Sequence, residues 1–285
     1  MRGFPPLLFL LLLLLPLREV RGVDQIQVHS VVPPILQNYW ESGMRFWSFG
    51  LSTVVTDKYI RLTGNAPGAK GYLWNRHANH MDAFELNVTL QMRGRQVRGR
   101  GERRDSGIGI WYTTAKKVTG GADAGFFGFS KRFFGLGVIL GHSDEISLVH
   151  NDNSVDLDPR SLSSRRQGYC RVPSLGELHI TITVQYNAGT VLVFYVVHAG
   201  EEPRLEDYAQ AVFCTTAAAP SLVGVYRFGV TAVNSATALA IHEIHSVIMT
   251  PLSDVAHHKE EENRAAQFRL FDEEAGATDK ELLDG

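Results

Sequence analysis

The sequence predicts an all-β chain folded as a sandwich of two antiparallel sheets, and three observations carry that prediction. Between Phe46 and Thr250 apolar residues recur with the period of two of a half-buried strand, or in short continuous runs, rather than with the helical period of about 3.6. Clusters of Gly, Asn, Asp and Pro punctuate these runs. There are about ten or more of them, the number that builds a two-layer sandwich.

In chain order, residues 1–22 open with a basic start, an apolar run from Leu7 to Leu15 and a small-residue ending at Gly22, the pattern of a secretory signal peptide. Residues 23–45 form an N-terminal extension before the first clear strand signal at Phe46. The clearest strands are Tyr59 to Gly64, Phe84 to Gly94, Ser106 to Thr114 and Glu177 to Gly200. In the last, Leu178, Ile180, Ile182, Val184 and Tyr186 alternate with His179, Thr181, Thr183 and Gln185, which makes one face core and the other wet. "NAG" at Asn187 to Gly189 then turns the chain into a hairpin. Two further strands, "LVGVYRFGVTAV" and "IHEIHSVIMT", close the domain near Pro251. Residues 252–285 are charged and poor in β-branched residues, which fits a helical or disordered tail.

Composition narrows the function classes. With 44% hydrophobic residues and 10% aromatics over 285 residues, the chain buries a sizeable core. A net charge of -2 argues against a polyanion or polycation as a general partner. No later segment reaches about 18 consecutive apolar residues, so no transmembrane helix is expected in the mature chain. The two cysteines, Cys170 and Cys214, read as one disulfide in an oxidising lumen, with a pair of buried free thiols as the alternative.

Several motifs point away from chemistry. "RGRQVRGRGERR", Arg93 to Arg104, holds six arginines interleaved with glycine. In a lumenal sandwich it reads as a basic hairpin loop, with binding of an acidic cargo or a phosphorylated or sulfated glycan as the alternative, ahead of nucleic acid. In "IHEIHS" the histidines stand three apart, not the four of a helical zinc protease, and on a strand His242 and His245 face opposite sides. No strand carries paired carboxylates of the glycosidase kind, and no Gly-x-Ser-x-Gly elbow occurs, so the chain is not expected to be an enzyme. "NVT" makes Asn87 a candidate glycosylation acceptor on the solvent face of its strand.

"FWSFG", "DKYIRLTG", "GYLWNR", "FELNVTLQMRGR", "GIGIWYT", "GLGVIL", the cysteines in "GYC" and "VFC", and "YRFGVTAV" followed by "HEIHS" occur in this order. The ordered set resembles the legume-lectin-like (L-type) domain of the cargo receptors that carry glycoproteins between endoplasmic reticulum and Golgi, and it covers about Phe46 to Pro251. The resemblance implies a jelly-roll, concanavalin-like sandwich at residues 46–251 with one disulfide, a calcium ion, and a shallow high-mannose site in the lumen of the endoplasmic reticulum, intermediate compartment and Golgi. It places the sugar-gripping position at Ser106, where the family has an aspartate. The family's Asp, aromatic and Asn after "GLGVIL" fall on Gly141, Ser143 and Glu145, and its His-x-x-Asp on His150 and Asn153. The Gly-Gly pair that exposes backbone N-H groups falls near Asn234 and Ser235.

Candidate sugar-binding residues are therefore Ser106, Glu145, His150, Asn234 and Ser235. Candidate calcium ligands are Ser143, Asp144, Glu145, Asp152 and Asn153, since a hard ion needs six to eight oxygens. The expected function is a lumenal cargo receptor for high-mannose glycoproteins with weakened sugar binding. The alternative is a lectin-fold adaptor or assembly partner without carbohydrate activity. Glycoprotein cargo and a membrane-anchored partner are the expected partners.

Overall fold

The computed structural model describes residues 27–40, 43–97, 106–118, 125–141, 144–172, 178–200, 210–222 and 224–252. The signal-peptide pattern at 1–22 and all but Leu252 of the charged tail lie outside the described residues.

Two seven-stranded antiparallel sheets form the sandwich, with strands numbered along the chain. The first sheet runs in the order β11 (Gly168–Arg171), β10 (Glu145–Asp152), β9 (Phe134–Gly141), β8 (Gly107–Thr113), β15 (Arg227–Val233), β6 (Lys70–Asn75) and β3 (Trp47–Leu51). The second runs β14 (Val212–Ala218), β13 (Thr190–His198), β12 (His179–Asn187), β7 (Ala83–Val97), β16 (Ala238–Pro251), β5 (Ile60–Thr63) and β4 (Val54–Val55). A short hairpin, β1 (Tyr39–Trp40) with β2 (Gly43–Met44), precedes them. The N-terminal extension joins the core through Val31, Ile35 and Met44, and Val31 bridges to Val247 of β16.

Alternation builds the core. Phe84, Leu86, Val88 and Leu90 of β7 meet Ile108, Ile110 and Tyr112 of β8 between the sheets. The outward side chains of β8 and its neighbours make a second apolar layer. There Trp74 and Trp111 lie under Phe126, Phe127, Phe129 and Phe133 of the segment between β8 and β9. Glycine clears the space for these rings: a Cβ on Gly109 or Gly137 would strike Trp111, and one on Gly229 would strike Trp74. The indole of Trp111 donates to Thr231 Oγ1, whose hydroxyl donates to the Phe127 carbonyl, so the covering segment is hydrogen-bonded to the sheet as well as packed on it.

The β12-β13 hairpin turns through Ala188 and Gly189, both at positive φ, as "NAG" requires. The face of β12 expected to be wet is not. Thr181 and His198 are fully buried and Thr89 nearly so, and the three hydroxyl and imidazole groups bond to one another. Polar residues tolerate this cover because each has a partner. Cys170 on β11 and Cys214 on β14 form a disulfide that clips one edge of each sheet to the other, closing a separation of 44 residues. In the chain-entropy account such a loop stabilises by about 4 kcal/mol.

Candidate functional site

Four strands of the first sheet, β8, β9, β10 and β15, deliver the candidate residues to its two ends. Ser106 precedes β8, Gly141 to Glu145 link β9 to β10, and Asn234 to Thr237 link β15 to β16. These loops form one rim. The other lies at the far end of β8, about 20 Å away at roughly 3.3 Å per residue.

The first rim turns its polar side chains inward. Ser106 is fully buried, with Oγ 2.9 Å from the Val233 carbonyl and 3.0 Å from that of Ala238. Asn234 is 1% exposed. Its Nδ2 reaches the carbonyls of Gly64, Ala66 and Ala240 at 2.8, 3.2 and 3.0 Å, and its Oδ1 accepts from the Ala240 N-H at 3.0 Å. Ser235 Oγ accepts from the N-H groups of Ala238 and Thr237, at 2.9 and 3.3 Å. The three side chains complete the backbone of the loops around them, the role a side chain takes where a turn leaves donors and acceptors unpaired.

Glu145 is half-buried and faces cations rather than a metal. Arg166 Nη1 stands 2.8 Å from one carboxylate oxygen and Arg171 Nε 3.6 Å from the other. Arg166 also lies over the ring of Tyr169, 3.3 Å from its centroid. β9 and β10 pair from Leu140 and Ile146 onward, and Asp144 has a φ of 57° and its carbonyl held by the Val172 N-H. Ser143 lies outside the described residues.

The four described candidate metal ligands, Asp144, Glu145, Asp152 and Asn153, are not brought together. Glu145 and Asp152 begin and end β10, seven residue steps or about 23 Å apart. Oxygens that share one calcium ion lie within about 5 Å of each other, given bonds of roughly 2.3 to 2.6 Å. Asp152 instead accepts from the Ser154 N-H and hydroxyl, which hold its carboxyl below the usual range, and the Asn153 N-H donates to Asn151 Oδ1. Among the described residues these donors do not converge on one calcium position. His150 sits near this far end, half-buried and remote from Ser106 and Asn234; burial lowers its pKa and leaves Nε2 without a hydrogen-bond partner.

The outer face of the second sheet holds the other candidates. Asn87 is half-buried in mid-strand, its Nδ2 donating to Glu85 at 2.8 Å and its Oδ1 accepting from Thr183 at 2.6 Å. The amide that a glycan would occupy is already a donor. The basic stretch begins inside β7 rather than in a loop, because β16 pairs as far as Val97. Its first arginine, Arg93, joins Arg61 on the buried carboxylate of Glu243, at 2.7 and 2.9 Å. Residues 98–105 lie outside the described residues. His245 meets His179 with Nε2 atoms 3.1 Å apart, whereas His242 contacts Thr63.

The second rim carries a cleft that the sequence reading missed. It encloses about 680 Å³ between Thr114 to Lys117, Phe129 to Phe134, Asn153 and Val225 to Tyr226. The signal was present as "TTAKK" after the "IWY" strand and "FSKRFF" before the next, two basic segments interleaved with aromatic or hydroxyl residues.

The family model for the legume-like lectin family matches residues 24–259. Vesicular integral-membrane protein VIP36 of Canis lupus familiaris is 28% identical over 273 residues, covering 90% of this chain and 71% of that protein. The Homo sapiens VIP36 is 30% identical over 140 residues, 46% of this chain, and the match spans only 37% of its length. Among solved structures, the calcium-bound exoplasmic/lumenal domain of VIP36 superposes with a TM-score of 0.63 at 23% identity, covering 79% of this chain and 90% of that one. The Emp47p carbohydrate recognition domain gives 0.60 at 19% identity, covering 79% and 95%. The chain belongs to the legume-like lectin family.

Proposed function

We propose that this chain works in the lumen of the secretory pathway as a lectin-fold cargo-binding protein that engages its partners without a calcium-dependent mannose grip at the first rim. Family membership and the likeness to VIP36 support the transport role, and the disulfide fits an oxidising lumen. The observation that carries the departure from mannose is the inward commitment of Ser106 and Asn234, buried and bonded to backbone where sugar ligands were expected. Solved VIP36 domains bind calcium with Man2 or Man3GlcNAc. Here the matching positions offer no free carboxylate and no bare glycine turn.

Glycoprotein cargo and a membrane-anchored partner are then held through protein surface rather than through mannose hydroxyls. A glycan array probed with and without EDTA tests the reading. It expects no EDTA-sensitive signal on high-mannose glycans from a chain that folds normally. Binding to those glycans that EDTA abolishes would overturn it.

A further inference from the structure

The cleft at the second rim is built as a binding site, and its chemistry differs from that of the first rim. Its floor is aromatic: Phe129, Phe133 and Tyr226 are buried, and Phe134, 38% exposed, stands with its ring 6.2 Å from that of Tyr226. Its walls are cationic and hydrogen-bonding, with Lys116, Lys117 and Arg132 exposed alongside Ser130 and Asn153. Among the described residues no carboxylate lines it. Arg132 pairs with Asp156, but both side chains are more than half exposed, and such a pair contributes little against a better anion.

The walls are held in place by the fold. The Thr114 N-H donates to the Phe134 carbonyl at 3.1 Å, which ties the Lys116 and Lys117 segment to the start of β9. On the other side Asn151, 2% exposed, donates to the Val155 carbonyl at 2.9 Å, and the Leu157 N-H donates to the Lys131 carbonyl at 2.9 Å. These bonds fix the turn that presents Asn153, whose φ of 66° directs it out of the strand. A preformed cleft loses less freedom on binding than one that must be ordered.

We propose that this cleft binds an acidic saccharide, a sugar bearing a phosphate or sulfate group. The aromatic floor suits the apolar C-H face of a pyranose, the paired lysines and Arg132 suit the anion, and Ser130 and Asn153 suit the remaining hydroxyls. The volume, about 680 Å³, lies within the roughly 300 to 1,000 Å³ of small-molecule sites and accommodates one or two sugar rings. A peptide strand would need open backbone to pair with, and the strand ends around this cleft are already hydrogen-bonded to each other.

The inference rests on family membership and not on the first rim, so its test omits calcium and includes EDTA throughout. Calorimetry on the full chain uses mannose 6-phosphate and N-acetylglucosamine 6-sulfate, with mannose and inorganic phosphate as controls. Both acidic sugars are expected to bind about tenfold or more tightly than either control, and added salt is expected to weaken them. The double variant Lys116→Ala/Lys117→Ala should lose at least about tenfold, and Phe134→Ala a comparable amount, with circular dichroism and melting unchanged for the lysine pair. Binding of only one acidic sugar would identify the source of the anion and uphold the site. No binding of either, equal binding of inorganic phosphate, full retention in the lysine variant, or binding of an acidic peptide in place of the sugars would overturn it.

Discussion

The two ends of the first sheet use the same four strands and treat polar side chains in opposite ways. At one end Ser106 bonds to carbonyls of the β15-β16 connection, Asn234 to those of the β5-β6 loop and Ala240, and Ser235 to its own turn, while Glu145 is taken up by Arg166 and Arg171. At the other, Lys116, Lys117 and Asn153 project from loops whose backbone is already paired among themselves. The difference teaches that a polar residue at an expected site becomes a ligand only when the fold satisfies its loop by other means. Asn234 and Ser235 bond to backbone groups around them, which makes the loop rigid and leaves fewer open donors at the rim.

The largest expected effect tests what clips the two sheets together beside the first rim. Replacing Cys170 and Cys214 by serine should lower stability by about 4 kcal/mol, read as a shift in the urea midpoint. An effect under about 1 kcal/mol would mean that the sheets are clipped elsewhere.

Two substitutions sharpen the contrast at the first rim. Asn234→Ala leaves three carbonyls and an N-H without their side-chain partner and should cost about 3 kcal/mol. Ser106→Asp, which places a carboxylate at the proposed sugar position, should also destabilise by about 3 kcal/mol and yield no mannose binding, because it buries a charge against two carbonyl oxygens. A stable Ser106→Asp protein that binds mannose would show that the rim opens.

Acid acts on buried histidines outside both candidate sites. Burial holds His29 and His245 down to about 4, with the neighbouring His179 adding to the effect at His245, while Glu243 opposes it and Arg93 assists it. Tyr59 also faces His245. The unfolded chain takes up these protons near 6.5, so stability is full above that pH and falls as pH drops from about 6.5 towards 4. Urea midpoints at pH 7, 6 and 5 should decline in that order, and His245→Gln should flatten the decline. The smallest effect lies at the second rim, where Lys116→Ala and Lys117→Ala should change stability by no more than about 0.5 kcal/mol.

Much of the fold was legible in the sequence. The alternation in Phe84 to Leu90 places those side chains in the core, "NAG" makes the turn between β12 and β13, and the two cysteines meet across the sheet edges. The faces were harder to read. Thr181 looks like a solvent position from its spacing, and only the partner strands show that it bonds with Thr89 and His198 under cover. The first rim was read as altered, but not as self-bonded, because two of the three partners of Asn234, Gly64 and Ala66, sit 170 and 168 residues away in sequence. The cleft stayed hidden for a similar reason. Lys116 and Phe134 become neighbours through the pairing of Thr113 with Gly135, a register that no local pattern records.

Calcium titration by calorimetry at neutral pH, followed by addition of a high-mannose glycan, addresses the central claim most directly. A rim that bonds to its own backbone gives no heat in either step. Stoichiometric calcium binding that then supports glycan binding would contradict the account.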